Sequence, residues 1–259
     1  MKRYLLRAGS RLGLLRPAYR AYERLLELRT GGSETVIDGL PVPPRQLMVR
    51  VAASADPAWF VESGRLAAES IRAVAPVSDA RALLDFGCGC GRVVRQWREL
   101  STEIHGCDLD PAAIAWCRAN LGFAQFERNE LEPPLPYADE SFDLAYGLSV
   151  FTHLPEDAQL RWIAELARVL RPGGRLVLST HGTSYRDRLH RDEQVRFDAG
   201  ELVVRWEEGA GTNLCSAWHP PAYAREPLAA AGGLEYEAFL AEGALGNPHQ
   251  DLHVFRRPA

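Results

Sequence analysis

Acidic residues, glycines and histidines occur in this chain at spacings that suggest chemistry on a bound ligand. Asp85-x-Gly87-x-Gly89-x-Gly91 sets three glycines at alternate positions directly after a short apolar run, Ala82 to Phe86. Glycine permits backbone angles closed to other residues, so a ligand can rest directly on such a turn. A dinucleotide turn, G-x-G-x-x-G, would need its third glycine at 92, where Arg92 stands. Asp108 follows Gly91 by seventeen residues, near the separation at which an open α/β sheet places a carboxylate beside a ribose. An ionised carboxylate can accept hydrogen bonds from both ribose hydroxyls. Three histidines, His153, His181 and His219, are candidates for a general base. His153 lies just before a helix start, where the dipole lowers an imidazole's pKa and keeps the ring neutral near pH 7.

Elements that could position these residues are legible around them. Ala82 to Phe86 reads as a buried parallel strand, and Val93 to Trp97 behind the glycines as the opening of a helix. Glu103 to Asp108 is a second strand, followed by a helix with Asp110 as its cap and Pro111 in its first turn. Phe123 to Glu127 and Ser141 to Gly147 are the third and fourth strands, with Asn129 after the third and Ser149 after the fourth. Pro155, Glu156 and Asp157 open a helix whose Leu160, Ile163, Ala164, Ala167 and Leu170 share one face, and Pro172-Gly173-Gly174 stops it. Arg175 to Thr180 is the fifth strand. Upstream, Leu47 to Val51 reads as a short strand and Trp59 to Val74 as a helix covering the sheet. Downstream, Leu202 to Trp206 and Cys215 to Trp218 read as an inserted hairpin, and Leu234 to Leu240 with Asp251 to Phe255 as a closing antiparallel pair.

The glycine turn, the acid after strand two, the "FDLA" of strand four and the tract "ELARVLRPGGRLVLST" together resemble the class I S-adenosylmethionine (SAM) methyltransferases. The resemblance covers residues 80–181 and implies an α/β fold. It would be a Rossmann-like seven-stranded methyltransferase sheet with a helical N-terminal extension and an inserted C-terminal segment. The expected division is 1–58 for the extension and linker, 59–181 for the SAM-binding core, and 182–259 for a substrate-side insertion with the closing strands. The resemblance further implies SAM as cofactor and S-adenosylhomocysteine (SAH) as product. Its contacts would be Asp85, Phe86, Gly87, Cys88, Gly89, Gly91, Asp108, Leu109, Asn129 and Ser149. Asp85 would orient the ammonium end, Asp108 take the ribose hydroxyls and Asn129 meet the adenine amino group.

The expected reaction is methyl transfer to a small-molecule or glycan acceptor, at a hydroxyl oxygen. An N-methyltransferase acting on nucleic acid or amides would carry an Asn/Asp-Pro-Pro-aromatic tract after strand four, where Tyr146-Gly147-Leu148-Ser149 stands instead. The alternatives are a non-methylating SAM-binding protein of the same fold, cyclase-like or regulatory, or an N-methyltransferase. Five cysteines without C-x-x-C spacing point to a reduced cytoplasmic protein without structural zinc, and no metal is expected. The formal charge of −4 gives no reason to expect a nucleic-acid partner. Residues 1–29 are the exception, with a local charge of +6 and arginines repeating every four residues. Such an arm could clamp an anionic membrane surface, cover the active site, or pack its leucines on the domain or on a second subunit of a homodimer. No secretory signal is expected, because no continuous apolar core follows the charges.

Overall fold

A computed structural model describes residues 35–247 and 249–259; the basic arm, residues 1–29, lies outside the described residues. The chain builds one seven-stranded sheet around the expected first strand. Strand β3 (Ala82–Phe86) is buried along its whole length, with Asp85 the one charged residue among its apolar side chains. It pairs in parallel with β4 (Glu103–Asp108) on one side and β6 (Phe142–Gly147) on the other. The sheet extends through β5 (Gln125–Arg128) at one edge, and through β7 (Leu170–Thr180), β11 (Asp251–Arg256) and β10 (Glu235–Leu240) at the other, in the order β10-β11-β7-β6-β3-β4-β5. Only β11 runs against the other strands of this sheet, pairing antiparallel with β7 on one side and β10 on the other. Two smaller pairs, β1 (Val36–Ile37) with β2 (Leu40–Pro41) and β8 (Val203–Arg205) with β9 (Ser216–Trp218), stand outside this sheet.

Side chains alternate across a strand, so β3 divides the core. Leu84 and Phe86 face a cluster with Trp162, Ile163 and Leu166 of the helix Glu156–Val169. Leu83 faces Ala68 and Ile71 of the helix Pro57–Val74, together with Trp97. The helices start where local chemistry directs. Asp56 accepts from the Ala58 amide at 3.0 Å ahead of Pro57, and Asp110 accepts from the Ala112 amide at 2.9 Å ahead of Pro111. Asp143 is structural: its Oδ2 accepts from the amides of Arg81 (2.8 Å) and Ala82 (3.0 Å), fixing the start of β3.

Two expectations are corrected. Residues 47–51 belong to a helix, α1 (Arg45–Ala52), because Leu47 and Met48, with Val51 one turn on, bury one face against Phe60, Val61 and Cys90. Behind the glycines only a 3₁₀ turn, Val94–Trp97, forms in place of a regular helix. Its arginines point inward and bond the main chain of other segments. Arg92 donates to the carbonyls of Ser63 (2.9 Å) and Gly246 (3.0 Å), and Arg95 to those of Ile37 (2.9 Å) and Leu40 (3.3 Å). These long-range anchors shape the segment more than helix propensity does.

Candidate active site

The strand order turns outward from β3, with β4 on one side and β6 on the other. At the carboxyl ends of those strands an open α/β sheet leaves a crevice. Here it is a cleft of about 1220 Å³. Its floor is the glycine turn. Gly87 and Gly89 adopt φ of +76° and +52°, and a Cβ on either would lie 2.3 Å from Val150 Cγ2 or 2.4 Å from Val51 Cγ2 respectively. The amides of Gly87 and Cys88 both donate to the Cys107 carbonyl, at 2.8 and 2.9 Å, which ties the turn to the end of β4.

Nine of the ten expected cofactor residues line this cleft: Asp85, Phe86, Gly87, Cys88, Gly89, Asp108, Leu109, Asn129 and Ser149. Gly91 does not. It backs onto the helix Pro111–Asn120, where a Cβ would meet Leu121 Cδ1 at 2.4 Å, so its work is packing. Asp108 spans two tasks, since Oδ2 accepts from the Gly89 amide and Oδ1 from the Asp110 amide, both at 2.8 Å. These bonds shape the turn and leave further lone pairs for a ligand. Asp110 is occupied as a helix cap and in an ion pair with Arg50. Asn129 donates through Nδ2 to the Glu130 carbonyl at 2.8 Å, while its Oδ1 is buried without a partner among the described residues. A buried acceptor of this kind calls for a donor from a ligand.

Asp85 is buried and accepts from the Tyr146 hydroxyl at 3.0 Å; Tyr146 in turn accepts from Trp97 Nε1 at 2.8 Å. Burial pushes the Asp85 carboxyl up to about 7, against the pull of Tyr146 and the Arg92 charge. A carboxyl raised on folding stabilises the fold below the unfolded-state value near 4, and that contribution is lost as pH rises through about 7. Asp85→Asn is therefore expected to flatten the pH dependence of unfolding free energy across this window, measured by urea titration. A ligand ammonium needs the ionised form, so ligand affinity should rise with pH up to about 7 in the native protein alone.

The three histidines part company in the structure. His153 lines the cleft, and its Nδ1 lies 2.7 Å from the Cys215 carbonyl. A carbonyl only accepts, so Nδ1 carries the proton and Nε2 is left bare, the form a general base needs. Burial moves its pKa below the usual 6.5. His181 sits behind it, outside the cleft lining, stacked 4.2 Å from the Tyr185 ring and pushed down to about 3, chiefly by burial. His219 is fully buried and outside the cleft lining, and bonds Gln159 Oε1 through Nε2 at 2.9 Å. Its ring stands edge-on to Tyr223, centroids 6.1 Å apart, so this candidate base does not face the cleft.

Other cleft residues carry no signal in the sequence. Arg50 and Val51 arrive on α1, Trp59 on the next helix, and Thr212 to Leu214 on the connection between β8 and β9. Gln250, just before β11, donates to Ser149 Oγ at 2.9 Å and accepts from Ser179 Oγ at 2.7 Å.

Sheet order, glycine turn and paired acids define a Rossmann-like class I fold with an open cleft at the carboxyl ends of its strands. Residues 84–178 match the model of the methyltransferase domain family, so this part of the chain is a methyltransferase domain. The malonyl-[acyl-carrier protein] O-methyltransferase of Pectobacterium atrosepticum is 30% identical over 121 residues, which are 47% of this chain and 47% of that one. The chain spans about half the length, or less, of the first curated relatives it matches. Among solved structures, a SAM-dependent methyltransferase from Mesorhizobium loti aligns with a TM-score of 0.57 at 22% identity, covering 73% of this chain and 96% of that one. The 1,6-didemethyltoxoflavin-N1-methyltransferase of Burkholderia thailandensis, solved with SAH, aligns at 0.53 and 16% identity, over 79% and 80%. These two likenesses establish the fold. The residues present fit SAM: Asn129 Oδ1 lacks a donor, and the adenine amino group is one.

Proposed function

We propose that this protein transfers the methyl group of SAM to a hydroxyl oxygen of a small-molecule or glycan acceptor. The observation that carries the reading is a single cleft holding the glycine turn, Asp85, Asp108, Asn129 and the bare Nε2 of His153. Bound SAM supplies a methyl group made electrophilic by a positive sulfur. Asp85 meets the ammonium end, Asp108 the ribose diol and Asn129 the adenine amino group, which together hold the methyl group in one direction. His153 Nε2 would take the proton from the acceptor hydroxyl, whose oxygen would receive the methyl group that bound SAM supplies. The proton held on His153 would then pass to solvent as the products leave.

The test is binding first and turnover second. SAH at a hundredfold its dissociation constant should stabilise the fold by about 2.7 kcal/mol, a melting shift of roughly 5–10 °C for a domain of this size. NAD should produce none, and a shift with NAD alone would sink the reading. Asp108→Ala should weaken SAH by roughly 10- to 100-fold in calorimetry, as expected for losing a charged acceptor. SAH binding without methyl transfer to any hydroxyl acceptor would favour the non-methylating alternative.

Peripheral membrane contact rests on residues 1–29 alone, through their +6 charge. Among the described residues no helix is long and apolar enough to cross a membrane. Full-length protein is expected to sediment with anionic vesicles and to be released by salt, whereas protein lacking 1–29 should stay in the supernatant. Equal sedimentation of the two would remove the arm from any membrane role.

A further inference from the structure

The connection between β8 and β9, residues 206–215, reaches across the cleft and grips His153 twice. The Gly211 amide donates to the His153 carbonyl at 2.9 Å, and the Cys215 carbonyl accepts from His153 Nδ1 at 2.7 Å. Between them, Asn213 Nδ2 donates to the Arg50 carbonyl of α1 at 3.2 Å, which ties the segment to the opposite wall. Gly211 also lies against the cofactor end of the cleft. A Cβ built on it would lie 2.8 Å from Leu131 Cδ1 and 3.0 Å from Leu109 Cδ2, at a φ of +75° that favours glycine. Leu109 follows Asp108, and Leu131 lies two residues beyond Asn129, so both flank the assigned ribose and adenine contacts. They are 37% and 36% exposed, among the few large apolar side chains left open in the described residues.

We propose that residues 206–215 act as a positioning strap that transmits cofactor occupancy at Leu109 and Leu131 to the ring of His153. A ligand that buries these leucines favours the arrangement in which they are held against Gly211. In that arrangement the strap holds His153 with Nδ1 protonated and Nε2 bare. The coupling can be no larger than the ligand's preference for the closed arrangement. Gly211 and the Cys215 carbonyl touch no reacting atom; they act through His153. The inference rests on the SAM reading of the cleft and on His153 as its base. It adds that base and cofactor are linked through a segment remote from both in sequence.

The strap is testable without knowing the acceptor. In full-length protein labelled with ¹⁵N-histidine, His153→Asn identifies the His153 ring signals, and native mass spectrometry verifies SAH occupancy in each sample. His181, whose ring centroid is 6.4 Å away, is the titratable neighbour whose signals are followed in the same spectra. Saturating SAH is expected to increase the Nδ1–H population of His153 and to move its titration midpoint further below 6.5. Leu131→Ala, which removes the contact without straining the backbone, should cut that response by about half or more at full SAH occupancy. Gly211→Ala, which forces a methyl group between the leucines, should do the same. An unchanged response in the folded, SAH-loaded Leu131→Ala variant overturns the strap, as does a SAH-loaded native protein whose His153 does not respond. A native protein that fails to bind SAH at all is seen directly in the mass spectrum, and overturns the SAM reading and the strap together.

Discussion

Replacing His153 with asparagine is expected to lower turnover on a hydroxyl acceptor by roughly 10²–10⁴-fold, the usual span for loss of a general base. Asparagine can still donate to the Cys215 carbonyl, so the bond that orients the ring has a substitute. It has no lone pair basic enough to take a proton. SAH affinity should stay nearly unchanged, because the assigned cofactor contacts lie on other elements of the cleft. The pH profile separates this role from a structural one. A base must be unprotonated, so native turnover should rise with pH through the His153 pKa, which burial holds below 6.5, and then level off. The variant should lose that rising limb. His181 offers no replacement, since burial pushes its ring down to about 3 and it stacks on Tyr185 outside the cleft lining. Near-full turnover by the variant on a hydroxyl acceptor would remove His153 from the mechanism.

Trp162→Ala is expected to destabilise the fold by about 3–5 kcal/mol, the range for truncating a large buried aromatic. Trp162 is 1% exposed and lies in the middle of the helix Glu156–Val169. Its ring centroid is 4.7 Å from that of Phe86, and its Nε1 donates to the Leu131 carbonyl at 3.0 Å. Removing it opens a cavity under the end of β3 and leaves a carbonyl without its donor. A melting temperature lower by about 6–20 °C should follow for a chain of this size. The same change should weaken SAH, because Phe86 and Leu131 both line the cleft. Trp162→Phe keeps most of the buried area and loses the hydrogen bond, so less than half the effect is expected. A loss below about 1 kcal/mol for the alanine variant, read from urea unfolding, would mean that the packing around Trp162 collapses to fill the space.

What the sequence by itself determined about this protein is the part carried by local chemistry. Ala82 to Phe86 is a short, mostly apolar run that ends at glycines, which reads as a buried strand, and Gly87 and Gly89 supply backbone angles that glycine tolerates easily. Asp110-Pro111 and Pro155-Glu156-Asp157 announce helix starts through caps and dipole. These signals act within a few residues, so they survive without knowledge of the fold. They point to the strands and helix starts, and the family resemblance they carry implies the cofactor class and nine residues that line the cleft. The tertiary structure alone decided the rest. A place after a strand puts a residue at the carboxyl edge of the sheet, but it does not aim the ring. His153 is aimed by a carbonyl 62 positions away, while His219 turns inward to Gln159, 60 positions away. Gly91 looks like its two neighbours in the motif, yet it serves a helix packed behind the turn. Residues 45–52 are helical because one face meets Phe60 and Cys90, a contact to which no propensity in the segment points. Side-chain direction is set by whichever distant partner satisfies it. That partner's position is a property of the folded chain, so such assignments require the tertiary structure.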